Sequence, residues 1–464
     1  MPEKETAFLM TECNQESFAF AHHFSRRVVA QFEGAWMSSD GGGLLLRRTN
    51  RKIRLLERVA ACFTDGRDPA RVEHTVAEML AQRIYGLALG YEDLNDHEQL
   101  RHDPLLALLA GKRELEQPLA GKSTLNRMEL TPAAAPAAAA DRYHKITYSA
   151  ERLDALLVDI FLEAHATAPT EIVLDLDVTD TPLHGEQEAR FFHGYYGEYC
   201  YLPLYIFCGE HLLCARQRAS NQDASAGALA EVQRIVGQIR QRWPQVKIIL
   251  RADSGFCREE LMAWGEAQHV DYVFGLARNE RLEKEIATLM AAAQSQHQQT
   301  QQAARVFGEF AYQTRQSWSC ARRVVAKAEY LDKGPNPRFV VTSLSPTEWE
   351  ARALYEQLYC ARGEMENRIK EQLSLFADRM STATLRANQL RLYLASLAYV
   401  LVHALRRLAL AGTAWARAQV NTIRLRLLKI AAEVRLSARR ICLRYPRAYP
   451  WKALFATAWW ALRC

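Results

Sequence analysis

The sequence predicts an α/β fold built on a mixed sheet, and three observations carry that reading. Glu171–Val178 (EIVLDLDV) alternates, with Ile172, Leu174 and Leu176 on one face and Val173, Asp175 and Asp177 on the other, which is the period of a strand. Lys247–Arg251 (KIILR) is a short apolar run of the kind buried inside a sheet, and it follows the amphipathic helix Ser225–Arg242. Between these segments, Tyr199–Phe207 and Leu212–Arg218 flank Cys208-Gly209-Glu210-His211 as a hairpin. Helix Glu259–His269 and strand Asp271–Leu276 come next. The order of strand, hairpin, helix, strand, helix, strand is that of a mixed sheet covered by helices.

At 464 residues the chain is longer than one ordinary core and divides into several regions. Its net charge of +6 is modest, but its distribution is not: from residue 401 onward there are thirteen Lys or Arg and a single acid, Glu433. Such a tail suits phosphates. The start, MPEKETAF, lacks the apolar core of a signal peptide, and the longest apolar run, Leu392–Leu405, falls short of the roughly 20 residues a bilayer needs. The expectation is a cytoplasmic protein with reduced cysteines and no membrane partner. The cysteines form no CxxC; Cys200, Cys208 and Cys214 fall on strand-like runs and read as buried thiols rather than a zinc site.

In chain order, residues 1–30 read as a loosely held arm, and Ser39-Asp40-Gly41-Gly42-Gly43 as a turn. Helices are predicted over Asn50–Phe63, Arg71–Gly86 and Glu98–Leu109. Gly121-Lys122-Ser123-Thr124 imitates a phosphate-binding loop, but Glu116 stands where the upstream glycine belongs and no strand precedes it. His97-Glu98 with His102 imitates HExxH, but a five-residue spacing puts the two imidazoles on different helix faces. Thr131–Ala140 has the composition of a linker, and helix Tyr148–Ala164 follows it. Beyond the sheet segments, a Gln/Ala-rich helix ends near Gln302, and β-like runs cover Val306–Gln313, Ser317–Ala328 and Arg338–Ser343. Ser345-Pro346-Thr347-Glu348 then reads as a helix start. Leu354, Leu358, Ala361, Met365, Ile369 and Leu373 give that helix an apolar face, and Tyr359, Arg362 and Glu366 lie on the adjoining stripe. A long apolar helix, Thr384–Leu410, follows.

Asp177 stands near the end of one hydrophobic strand, Asp253 just past the end of another in a Ser-Gly turn, and Glu366 on a much later helix. Three carboxylates on separate elements suit two-metal phosphoryl transfer, in which hard oxygen ligands hold two Mg²⁺ ions about 3.5–4 Å apart. Taken singly, Asp177 and Asp253 read equally well as turn or cap residues.

These segments resemble the DDE transposases of bacterial insertion sequences, in the group with a Y-x2-R-x3-E signature. The signature is met by Tyr359, Arg362 and Glu366, the first acidic motif by Asp177-Val178-Thr179, and the second by Arg251-Ala252-Asp253-Ser254-Gly255-Phe256. FFHGYYGEYCYLPLYIF and YCARGEMENRIKEQLSLFADR also look like that family. The resemblance implies a ribonuclease-H-like mixed sheet core with the first Asp on its first strand and the second after its fourth. It implies a β-rich insertion before the Glu helix, with helical N- and C-terminal regions on either side. The corresponding regions are 1–147 for DNA binding, 148–279 and 346–411 for the core, 280–345 for the insertion and 412–464 for a basic helical end.

Carried over, Asp177, Asp253 and Glu366 bind Mg²⁺, with Mn²⁺ as a substitute, while Tyr359 and Arg362 contact DNA. The implied reaction is cleavage at the element's terminal inverted repeats and joining of the 3′-OH to target DNA. A homodimer or larger synaptic complex acting on double-stranded DNA at the bacterial nucleoid would carry it out. Relatives often have Lys seven residues after the Glu; here that residue is Leu373, and Lys370 is the nearby cation. Asp175 faces the same side as Asp177, so it is either a ligand or a group behind the ligand that raises its neighbour's pKa. The same triad would also serve a nuclease that hydrolyses without joining.

Overall fold

The structure is a computed structural model that describes residues 17–31, 34–131 and 145–463. The linker-like stretch from residue 132 and the first sixteen residues of the arm lie outside them. The central element is a nine-stranded mixed sheet. Its main strands are β1 (Glu171–Val178), β2 (Leu204–Cys208), β3 (His211–Arg216), β4 (Lys247–Ala252), β5 (Asp271–Leu276), β6 (Ala304–Tyr312), β7 (Arg322–Leu331) and β8 (Arg338–Thr342). The order is β3-β2-β1-β4-β5-β8-β7-β6, with Gly334–Pro335 attached to β7. β4 runs parallel to β1 and β5, and the other pairs are antiparallel. Asp177 thus lies on the first strand of this sheet and Asp253 just after the fourth, the placement that the resemblance implies.

The β-like runs between Val306 and Ser343 do form strands, and they extend this same sheet. β8 pairs with β5, so the edge that β5 would expose is covered. Pro203 has no N–H to give a ladder, and the predicted strand Tyr199–Phe207 accordingly splits there, Glu198–Tyr201 pairing elsewhere.

Seven helices position the rest: α1 (Val76–Leu89), α2 (Ala150–Glu163), α3 (Ala228–Arg242), α4 (Glu259–Ala267), α5 (Ala287–Thr300), α6 (Gly363–Leu373) and α7 (Leu385–Ala409). Thr75 starts α1 through a reciprocal cap with Glu78, later than the predicted Arg71. One sheet face, with Leu174, Leu176, Ile248 and Leu250, packs on Val232, Ile235 and Ile239 of α3 and Leu261 of α4. The opposite face, with Ile249, Val273, Val325 and Val340, packs on Leu354, Tyr355 and Leu358. α7 is long and apolar enough to cross a bilayer, yet it is buried in the core with α1.

Two expectations of helix are revised. The predicted Asn50–Phe63 helix breaks at Arg54, whose φ of 51° ends Gly43–Ile53 and begins Leu55–Ala61. The basic C-terminal region contains strands Ala432–Ser437 and Arg440–Arg444, which pair with each other and with Met37–Ser38. Its apolar residues Val434 and Leu436 alternate with Glu433 and Arg435, a strand period that the density of charge obscures. The arm likewise contains the hairpin Ser17–His23 and Arg26–Gln31.

α6 is held by a buried ion network. Arg406 of α7 donates to Glu371 at 2.7 and 3.3 Å and to the Ala418 carbonyl at 3.0 Å. Arg368 bridges Glu371 and Glu210, each at 2.9 Å. Both Arg406 and Glu371 are almost wholly buried. Arg406→Leu leaves Glu371 short of a partner and is expected to cost roughly 3–5 kcal/mol in urea unfolding. Arg406→Leu with Glu371→Leu should recover most of that, and a double variant as weak as the single would contradict this account.

Candidate active site

Parallel pairing brings Asp177 and Asp253 to one edge. Leu176 stands opposite Ala252, so the next residue of each strand, Asp177 and Asp253, emerges at the carboxyl ends of β1 and β4. In open α/β sheets such carboxyl ends form the binding crevice. Asp253 caps the short turn Ser254–Phe256, its Oδ1 accepting the Gly255 N–H at 2.9 Å. Asp177 Oδ1 accepts the Val178 N–H at 2.9 Å.

The third side arrives irregularly. Ser345 and Glu348 cap each other as predicted, but they close only one turn. The helix restarts at Ala351 behind Glu350, widens into a π-helical stretch over Leu354–Tyr359, tightens over Cys360–Arg362 and becomes regular as α6. Such widened turns concentrate at functional sites. The predicted apolar face is retained, with Leu354, Leu358, Met365 and Ile369 buried. Arg362 reaches across to Asp177, Nη1 to Oδ2 3.2 Å. Glu366 and Lys370 are exposed, one helical turn apart on α6.

The charges of these groups act on one another. Asp177 is mostly buried, and its carboxyl is pushed up to about 6 by burial and by the charges of Asp253 and Glu366, against the pull of Arg362. Arg362 is itself raised despite burial, because Asp177, Tyr359, Asp253 and Glu366 surround it. Burial, with Asp253 nearby, also raises the Tyr359 phenol.

Among the described residues, no three His, Cys, Asp or Glu side chains come close enough to enclose a metal ion. The structure places Asp177 and Asp253 at neighbouring strand ends and the Arg362 guanidinium against Asp177, and the charge of Glu366 is felt at Asp177. A donor set made only of carboxylate oxygens is the ligand type of a hard divalent cation, and the Asp177 carboxyl is raised first by burial and then by its acidic neighbours. By charge and by ligand type, the residues fit such an ion.

Asp175 sits apart from this field. Arg251 grips it with Nε at 2.5 Å and Nη2 at 2.8 Å, and its Nη1 donates to the Leu358 carbonyl at 2.6 Å. The Asp175 carboxylate is fully engaged there. Sequence reasoning passed over Arg251 as a partner, although a cation inside an apolar central strand was a usable signal. It also passed over Gly275 of β5. A Cβ there would lie 2.6 Å from the Tyr359 hydroxyl and 2.9 Å from the Ser254 nitrogen, so only glycine admits the Tyr359 ring against the Asp253 turn. Glycine inside a strand is a known sign of such close approach.

The two look-alike motifs are structural. His97 is buried against Gln82 and Arg83, and its imidazole is held neutral, with burial pulling it to about 3. Glu98 accepts the Lys122 N–H at 2.8 Å, so a carboxylate already occupies the helix end where a phosphate would have to sit. Cys200, Cys208 and Cys214 are free thiols.

In the metal-free protein, Asp177 holds its proton to about pH 6, against 3.8 in its ordinary state. Between these values the native chain binds more protons than the unfolded chain, so stability falls as pH rises through that window and stays lower above it. Asp177→Asn removes the effect. In EDTA, the variant's stability relative to wild type should increase by roughly 1–3 kcal/mol between pH 4 and pH 7. Parallel pH profiles would show that the carboxyl is not held up.

The family model of the transposase DDE domain, group 1, matches residues 20–464. No curated protein matches significantly. Among solved structures, the chain is similar to a piggyBac transposase in a synaptic complex with hairpin DNA, at 9% identity and a TM-score of 0.42 over 83% of this chain and 80% of that one.

Proposed function

The chain belongs to the group 1 transposase DDE domain family and is a DNA-cleaving transposase, and from that premise we propose that Asp177, Asp253 and Glu366 are its catalytic carboxylates on a ribonuclease-H-like core. The observation that supports this is the parallel register of β1 and β4, which sets Asp177 and Asp253 side by side at one sheet edge, with Arg362 of the Glu366 segment reaching Asp177. The reaction is cleavage of phosphodiester bonds at the ends of an insertion sequence, followed by joining of the freed 3′-OH to target DNA. Mg²⁺, or Mn²⁺ in its place, held by these carboxylates would make the attacking water or 3′-hydroxyl more acidic and neutralise charge on the phosphate.

The chain's own residues position the DNA. Arg362 presents a planar set of N–H donors beside Asp177, suited to a phosphate oxygen as the strand enters. Tyr359 is fixed by Gly275 against the Asp253 turn, where its hydroxyl can orient the same strand. Lys370, exposed one turn beyond Glu366, supplies a cation toward the end of the element. Arg251 and Asp175 touch no substrate; they set the spacing of the strands that carry the acids.

Duplex DNA needs a wider cationic surface, and the structure sorts the basic residues. Arg424 is buried and donates to Ala88 and Ser374 carbonyls, so it is structural. Lys429 pairs with Asp40, and Arg435 and Arg444 with Glu433. Arg439 and Arg440, on the C-terminal hairpin, are exposed. In the segment from Gly41 to Leu56, which has no acid, Arg51, Lys52 and Arg54 are exposed, whereas Arg48 donates to the Leu462 carbonyl. These two groups are the proposed phosphate contacts. Each element end needs one active site, so a homodimer or larger synaptic complex is the working unit.

Wild type should cleave DNA flanking its own gene in Mg²⁺ and leave a 3′-OH, whereas Glu366→Gln and Asp253→Asn should fall to background while still binding that DNA. Cleavage by either variant would remove its carboxylate from the catalytic set. A precut end tests joining: hydrolysis without strand transfer would make the protein a nuclease. Arg439→Ala with Arg440→Ala should flatten the log–log salt dependence of binding by about 0.9 for each phosphate no longer neutralised. An unchanged slope would clear the hairpin of that role.

A further inference from the structure

Exposed aromatic side chains grouped in one place mark a surface meant to be covered. The segment between β1 and β2 carries four: Phe191 is 41% exposed, Phe192 56%, Tyr195 87% and Tyr199 45%. They lie on a hairpin made by Phe191–His193 and Glu198–Tyr201, and its second strand also pairs with Thr181–Pro182, four residues past Asp177. Phe192 stands directly opposite Tyr199, so their rings share a face, with centroids 5.6 Å apart. Arg190, two residues before Phe192, shares that face, and its guanidinium lies 4.0 Å over the Tyr199 ring. The hairpin is firmly tied down: Ser220 donates to the Phe191 carbonyl and Tyr201 to that of Glu188, at 2.9 and 2.6 Å. Its second strand thus lies beside the segment that continues from the Asp177 end of β1.

We propose that this hairpin is a stacking platform for an unpaired nucleobase of the DNA strand being cut. The inference rests on the transposase reading above. The patch suits a base better than a phosphate track, because it has one arginine among four rings, with Glu186, Glu198 and Asp180 close in sequence. Bases inside a duplex hide their flat faces; a nucleotide out of the stack offers one, and aromatic rings with a stacked guanidinium bind it whatever its sequence. Its attached phosphate would lie toward the carboxylates. A second copy of this chain is the competing occupant, and the experiment separates the two.

The test uses full-length Asp253→Asn and DNA flanking the gene, with 5-iodouracil placed in turn beside the cut position. Near-ultraviolet irradiation should crosslink the label to the peptide holding Phe192, Tyr195 and Tyr199. In the otherwise wild-type enzyme, Phe192→Ala with Tyr199→Ala should slow cleavage of fully paired DNA about tenfold, within the range for losing one stacked base. A substrate already mismatched at that position should lose less. Tyr195→Ala, at a side chain almost wholly in solvent, repeats the comparison without risk to folding. Crosslinks confined to other segments, or equal losses on paired and mismatched DNA, would overturn the proposal. Loss of self-association in the variants, with no crosslink to the hairpin in the parent, would assign the face to a second copy. Failure of wild type to bind the DNA at all would remove the transposase reading and this inference together, whereas binding without the crosslink removes only the inference.

Discussion

One guanidinium ties together the three elements that carry the acids. Arg251 lies two residues before Asp253, grips Asp175 two residues before Asp177, and holds the Leu358 carbonyl one residue before Tyr359. A buried arginine is expensive unless its donors are satisfied, and here each of its nitrogens has an acceptor. The fixed fork of the side chain therefore becomes a spacer, setting β1, β4 and the widened helix at distances that a flexible lysine would not impose.

Around Asp177, burial acts first and like charge adds to it. Asp177, Asp253 and Glu366 repel one another, and Arg362 offsets this only in part, which is why burial and like charge keep the Asp177 carboxyl high. Away from the active edge the opposite rule holds. Glu371 meets both Arg368 and Arg406, and Glu129 meets Arg83 and Arg391. The chain balances its buried charge in these two networks and leaves it less balanced around Asp177.

Backbone irregularity serves the same end. A regular helix from Ala351 to Leu373 would keep Tyr359, Arg362 and Glu366 on one fixed stripe. The π-helical stretch and the tighter turn after it re-aim these side chains while Leu354, Leu358, Met365 and Ile369 stay buried. Gly275 supplies the space that this re-aiming requires. The strands of 304–342 bury the edge of β5, so the widened helix packs on a continuous sheet.

Much was legible in the sequence because it depends on local periodicity. The alternation in Glu171–Val178 located β1 and told Asp175 and Asp177 from the core-facing residues. Apolar runs located β4, β5 and α7. The sequence alone could not rank Asp175 against Asp177, because both point to the same side of β1. Only the neighbouring strand, which places Arg251 opposite Asp175, separates them. Nor could periodicity reveal that the Glu366 helix changes its winding, and in the basic tail the density of charge obscured the strand period. Those outcomes depend on which partner surface each segment meets, and such pairings between residues far apart in the chain exist only once the sheet has assembled.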